Sequence, residues 1–266
     1  SNLEINLEQV TNDTYLKKFK PKSNLITSEN LMHSYLKYNG YEENSSLKVS
    51  VETYEDLTKK TSDRYEYIYP NIEFSKEFQK IDMPGSFSFN SSLFQKQFDT
   101  NKTKQSFIND IIYTSDTKYS EIGFSKDFKL LVKNPNTRQK AGSKDHADTD
   151  TKLLTKLMYS MTYPLKKEGE FYNSFLKPKI SYRFSPNNTK NISNEDRRLD
   201  ISNISSFNRL GISDGVEGGQ SITTGLEFSL KDKIGQERIS ANLSQVIRDK
   251  ANPDLPTNST LNNKYS

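Results

Sequence analysis

Two histidines, His33 and His146, and no cysteine stand in a chain of 266 residues. The missing thiols exclude a cysteine nucleophile, a cysteine-ligated zinc site and a disulfide scaffold. Two imidazoles are too few for a histidine-rich metal centre, and neither shows the partners that a nucleophile–base–acid triad needs. His146 lies in Lys144-Asp145-His146-Ala147-Asp148-Thr149-Asp150, where three carboxylates beside an imidazole make a donor set suited to a divalent cation. Long polar loops collect the same residues without binding anything, and no metal is expected here. Glu195-Asp196-Arg197-Arg198 holds the kind of carboxylate pair that acid–base chemistry uses, but its own arginines turn it into a solvated charge cluster. Gly218-Gly219 is followed by neither a helix nor a Lys-Ser/Thr step, so it is a turn entering a strand rather than a phosphate loop. Lys17-Lys18-Phe19-Lys20-Pro21-Lys22 can meet lipid phosphates, although a solvated turn is the simpler reading. No residue stands out as catalytic and no cofactor is expected, so the chain is read as a non-enzyme.

The elements that must carry these residues are strands. Leu47, Val49, Val51 and Thr53 alternate with Lys48, Ser50 and Glu52, while Leu157, Tyr159, Met161, Tyr163 and Leu165 alternate with Lys156, Ser160 and Thr162. Similar alternation runs through Ile68-Ile72-Phe74, Phe87-Phe89-Leu93, Phe128-Leu130-Val132, Ile222-Leu226-Phe228-Leu230 and Ile239-Ala241-Leu243-Ile247. About eleven strands and no amphipathic helix are expected. Many run to about ten residues, the length of a tilted strand crossing a bilayer. Connections near 42–46, 116–120, 166–172 and 231–237 are short, and those near 11–30, 134–151 and 185–220 are long and polar. Outer-membrane barrels show this asymmetry of short periplasmic turns and long extracellular loops. The connections near 58–64, 77–85 and 97–105 blur it.

Composition favours that class without closing the question. Against 38 basic residues stand 34 acidic ones, and a net charge of +4 gives no electrostatic case for nucleic acid. No apolar run is long enough for a spanning helix. The opening Ser1-Asn2-Leu3-Glu4 lacks a signal peptide's basic and apolar regions, which reads as a mature or partial chain. Only 32% of residues are hydrophobic, yet 15 Phe and 15 Tyr separate the chain from disordered sequences. A large barrel needs one apolar face per strand, because its other face lines water. Tyr65, Tyr67 and Tyr69 suit an interfacial girdle or simply reflect β-propensity. A soluble β-sandwich, such as an adhesin or carbohydrate-binding module, alternates as well and stays open, as does a porin- or receptor-type barrel.

In the barrel reading the faces acquire roles. Lys177, Lys179, Ser181 and Arg183 oppose Ile180, Tyr182 and Phe184. A cation on the lipid face costs roughly 2–4 kcal/mol at the midplane, so Lys177, Lys179 and Arg183 face the lumen, where they can meet lipid phosphates or a plug protein. Ile222, Leu226, Phe228 and Leu230 face lipid. Thr223 and Glu227 face the lumen, and an arginine at 223 is expected to be tolerated there.

Several stretches carry a family resemblance. Leu176-Lys177-Pro178-Lys179-Ile180-Ser181-Tyr182-Arg183-Phe184-Ser185-Pro186 has a Leu-x-Pro start, an aromatic and a proline before a long loop. Phe207-Asn208-Arg209-Leu210-Gly211-Ile212-Ser213-Asp214-Gly215-Val216-Glu217-Gly218-Gly219-Gln220 then leads into the glycine-containing strand Ser221-Ile222-Thr223-Thr224-Gly225-Leu226, and a further strand, Glu237 to Ile247, follows. Upstream, Val10-Thr11-Asn12-Asp13-Thr14-Tyr15-Leu16-Lys17-Lys18-Phe19 joins an acidic residue, an aromatic and a closing Phe. In this order they resemble the LPS-assembly outer-membrane protein family LptD, also called Imp or OstA. The resemblance implies that 1–266 is a middle part of the C-terminal β-barrel domain, without the periplasmic N-terminal domain or the terminal barrel strands. It further implies lipopolysaccharide transport to the outer leaflet of the bacterial outer membrane. The partners it implies are an LptE-like lipoprotein plug and an LptA-like periplasmic bridge.

Overall fold

A computed structural model describes residues 1–19, 28–60, 63–78, 84–140 and 147–266. His146, with Lys144 and Asp145, lies outside the described residues, as do Lys20, Pro21 and Lys22. Alternation becomes strand almost everywhere it occurs. The strands are β1 (Asn2–Asn6), β2 (Leu31–Glu42), β3 (Ser45–Asp56), β4 (Tyr65–Phe78), β5 (Ser86–Phe98), β6 (Lys102–Thr114), β7 (Lys118–Tyr119), β8 (Ser125–Lys140), β9 (Asp148–Thr151), β10 (Leu154–Thr162), β11 (Leu165–Glu168), β12 (Tyr172–Ser185), β13 (Gly219–Asp232) and β14 (Glu237–Arg248). One sheet takes them in the order β1-β2-β3-β4-β5-β6-β8-β10-β12-β13-β14, with β7 and β9 on β8 and β11 on β12. The main path thus holds the eleven strands that the alternation implies.

Chain reversal sorts the connections. Those spanning 43–44, 79–85, 115–124, 163–171 and 233–236 leave from one end of the strands, and those spanning 7–30, 57–64, 99–101, 141–153 and 186–218 from the other. Every connection expected to be short falls in the first group and every long one in the second, and the ambiguous ones divide between the two. One expected loop needs correction. Residues 134–151 are largely strand, because β8 continues to Lys140 and β9 folds back on it with Asn136 opposite Thr151 and Gln139 opposite Asp148.

Two compact units divide the chain, one made of 1–78, 88–110 and 134–152, the other of 79–87, 111–133 and 153–266. In the first, Leu36 faces Val51 and Tyr38 faces Val49 across β2–β3, while Leu47 faces Phe74 and Val49 faces Ile72 across β3–β4. The register slips between Ser50 and Glu52. Pro70, which cannot donate to a ladder, sits opposite this bulge. The slip moves the apolar face of β4 from Tyr65, Tyr67 and Tyr69 to Ile72 and Phe74 and turns Ile68 to the other side, opposite Glu52. Ile68 therefore does not share a face with Ile72 and Phe74, contrary to the simple alternation. The helix α1 (Tyr15–Phe19), which no periodicity announced, buries Leu16 against Met32 and Leu57.

In the second unit the apolar face is continuous across strands. Phe128, Tyr159, Tyr182, Ile222 and Ile247 line up over β8, β10, β12, β13 and β14, and Pro178, Leu226 and Leu243 form a parallel row. This face is the open one. Ile180 is 46% exposed and Leu226 40%, whereas Arg183 on the other face is 3% exposed and Thr223 2%. The burial of a soluble sheet, greasy side in, is reversed.

Candidate functional site: a buried basic cluster under residues 186–218

The reversed burial exists because residues 186–218 fold back over the polar face of the second unit. This segment has no regular element, and its apolar residues are irregularly spaced, yet Ile192, Leu210 and Ile212 pack with Leu255 and Leu261 into a small core of their own. Val216 joins Leu131 and Leu154 on the strands, with Phe207 and Ile112 alongside. Its exit is tight. A side chain at Gly218 would stand 2.0 Å from the Asn187 carbonyl oxygen, and Gly219, at φ +79°, starts β13 in a conformation that favours glycine.

Strand cations reach up to it. Met158, Arg183, Ser221 and Arg248 form one inward row over β10, β12, β13 and β14. Arg183 donates through Nη2 to the carbonyls of Ser206 at 2.7 Å and Ile204 at 3.4 Å, and through Nη1 to Thr223 Oγ1 at 2.7 Å. Lys156 Nζ donates to the Phe207 carbonyl at 2.5 Å and lies over that residue's ring. Lys133 Nζ donates to the Ser213 carbonyl at 2.7 Å. Downward from the segment, Arg209 forks onto the Glu217 carboxylate with Nε at 2.7 Å and with Nη2, and also donates to Thr223 and Ser221 at 3.1 and 3.0 Å. Arg248 Nε donates to Glu217 Oε1 at 3.2 Å. Its Nη1 donates to the Asn263 carbonyl and to Ser266 Oγ.

Glu217 is the hub. Burial by itself would raise its pKa, but Arg209 and Arg248 outweigh burial and hold it at about 2, below the usual 4.5. The carboxylate thus stabilises the closed segment at any pH above about 4.5, and that contribution is lost as pH falls towards 2. Acid is expected to release residues 186–218. Limited pepsin digestion of the detergent-held protein between pH 4.5 and 2 reads this, and Glu217→Gln should flatten the pH dependence.

The cations singled out in the sequence are not brought together. Arg183 is inside the cluster, Lys179 pairs with Glu227 on β13, and Lys177 is exposed opposite the same Glu227. Six residues of strand put Lys177 about 20 Å from Arg183. Ile222 and Leu226 are exposed and Phe228 and Leu230 half-buried on the apolar side. Thr223 is covered by Arg209 and Arg183 rather than by water, which overturns the expected tolerance of an arginine there. Arg197 and Arg198 pair with Glu195 and Asp196 at the surface.

A second polar cluster occupies the first unit. His33 Nε2 lies 2.8 Å from Glu52 Oε2, to which Tyr54 also donates, while Ser50 donates to Oε1 and Lys37 approaches it at 3.7 Å. His33 therefore has partners that the sequence did not reveal. The carboxylate stands between Ser50 and the imidazole, so the group orients side chains and does not activate the hydroxyl. Among the described residues no three His, Asp or Glu converge in a metal-binding arrangement.

A family model described as LPS transport system D, LptD, matches residues 2–266. A comparison with curated proteins finds no match.

Proposed function

Because the chain belongs to the LptD family, we propose that residues 1–266 form part of the wall of that family's β-barrel, with the apolar face towards lipid and the polar face towards the path of the cargo. The protein is an outer-membrane protein that takes part in lipopolysaccharide transport to, and assembly in, the outer leaflet, and its family is one of transport and assembly, not of enzymes. What supports the reading is the reversed burial. Exposed Phe128, Leu130, Tyr159, Ile180, Tyr182, Ile222 and Leu226 share one side, while buried Lys156, Arg183, Thr223 and Arg248 share the other. A soluble sandwich would lose rather than gain by this, since burial of apolar area is its main driving force.

On this proposal Ile222, Leu226, Phe228 and Leu230 meet hydrocarbon. Lys177 and Lys179 stand along the lumen, where lipid phosphates or an LptE-like lipoprotein plug can engage them, and Arg183 is already held by residues 204–206. Cargo arrives from an LptA-like periplasmic bridge. In the full-length protein in vesicles, a spin label at 226 should be relaxed by a lipid-soluble quencher and one at 223 should be shielded. The opposite pattern would reverse the face assignment.

Sidedness follows from connection length. In intact cells an impermeant maleimide should label a cysteine replacing Asn194 and leave one replacing Gly169 silent. Within residues 1–266 no native cysteine competes for the label. Labelling at 169 alone would invert the orientation.

A further inference from the structure

We infer that residues 186–218 cover a phosphate-binding surface on the strands, with the Glu217 carboxylate occupying the place of the anion, so that a phosphorylated ligand and this segment compete. Arg183, Arg209, Arg248 and Lys156 are all buried, and among the described residues of this unit Glu217 is the one buried carboxylate. Arg183 and Lys156 are met mainly by the main-chain oxygens of Ile204, Ser206 and Phe207. Carbonyl dipoles complete hydrogen bonds but leave net charge, and burying unbalanced cations is costly. Apolar contacts such as those of Val216 and Leu210 would hold a simple cap without that cost.

Two guanidinium groups of this row keep donors to spare. Among the described residues Arg183 Nε and Arg248 Nη2 have no hydrogen-bond partner although both side chains are buried, and Arg248 Nη2 makes an ion-pair approach of 3.2 Å to Glu217 Oε1. Lifting the segment carries Glu217 and Arg209 away together. Lys156, Arg183 and Arg248 then remain on β10, β12 and β14 without that counter-charge. Arg183 and Arg248 flank Ser221 in one cross-strand row, about 10 Å apart at the backbone. Two guanidinium forks and a hydroxyl at that spacing match the oxygens of a phosphate group. The site does not depend on the transport reading, which only supplies one source of phosphate, the cargo lipid. Free phosphate is the other.

The test uses the whole chain in detergent with a nitroxide on a cysteine at position 194. It is titrated with inorganic pyrophosphate, with a bis-phosphorylated glycolipid, with the same lipid dephosphorylated, and with sodium chloride at matched ionic strength. Phosphorylated probes should mobilise the label, and the other two should not. Equal potency of pyrophosphate and lipid assigns recognition to the phosphate alone, whereas a response to the phosphorylated lipid only assigns it to the headgroup. Glu217→Gln should lower the half-saturating concentration about tenfold and Arg248→Gln raise it about tenfold, the size expected for one hydrogen bond to a charged group. Chloride acting as well as pyrophosphate, or an Arg248→Gln titration identical to wild type, overturns the proposal. The wild-type titration decides by itself should a variant fail to assemble. A label at 226 reporting water would sink the lipid-facing reading and leave this result standing.

Discussion

Arg209→Ala should free residues 186–218 from the strands at a cost of about 3–5 kcal/mol, the range for removing one partner of a buried ion pair. The Arg209 side chain is fully buried and reaches Glu217, Ser221 and Thr223 at once. Its loss leaves Glu217 buried against Arg248 alone. Protease digestion of the detergent-held protein should cut within 186–218 in the variant and spare it in the wild type. Arg209→Lys keeps the charge without the fork and should fall between. Arg198→Ala, at an exposed pair with Asp196, is the control and should change stability by about 0–1 kcal/mol. Equal protease resistance of Arg209→Ala and Arg198→Ala would show that the buried pair does not hold the segment.

Leu226→Arg and Thr223→Arg are both expected to impair assembly, for opposite reasons. Leu226 is exposed on the apolar face beside Pro178 and Leu243, and an arginine facing hydrocarbon costs on the order of 2–4 kcal/mol near the midplane. Thr223 accepts hydrogen bonds from Arg183 and Arg209 through one hydroxyl oxygen. Replacing it removes that acceptor and adds a further cation to a site already rich in them, a loss of at least about 3 kcal/mol for a broken buried network. Heat-modifiable folding on gels, measured across urea, separates the two. Thr223→Arg should expose 186–218 to protease while its strands still fold, and Leu226→Arg should lower the yield of folded strands. A Thr223→Arg variant as resistant as wild type would place water, not the segment, over that residue.

Much of the sheet could be read in advance because alternation is local. Leu157, Tyr159 and Met161 announce their face without knowledge of any neighbour, and β12 displays both faces in one stretch. The slip at β4 was harder, although Pro70 marked it, since a bulge is visible only when the partner strand is known. His33 and Glu52 lie 19 residues apart and meet only through the β2–β3 register. The cluster was the least legible part. Arg209 and Glu217 sit in a stretch without periodicity, and nothing in their spacing tells a buried pair from a solvated one. Leu255 and Leu261, set among polar residues after β14, find Ile192 and Leu210 only through tertiary packing. The family resemblance did pass through 207–220, but it marked the stretch without revealing its contacts.

The reach of the contacts that hold 186–218 also sets an order of events. Lys133 grips a residue 80 positions away, Lys156 one 51 away, and Arg248 meets Glu217 across 31. Each such contact must wait for its loop of chain to close. β8, β10, β12, β13 and β14 must therefore already lie side by side before the segment has a surface to settle on. Its burial is then expected to follow that pairing, so a chain in which 186–218 resists protease should be one whose neighbouring strands have paired.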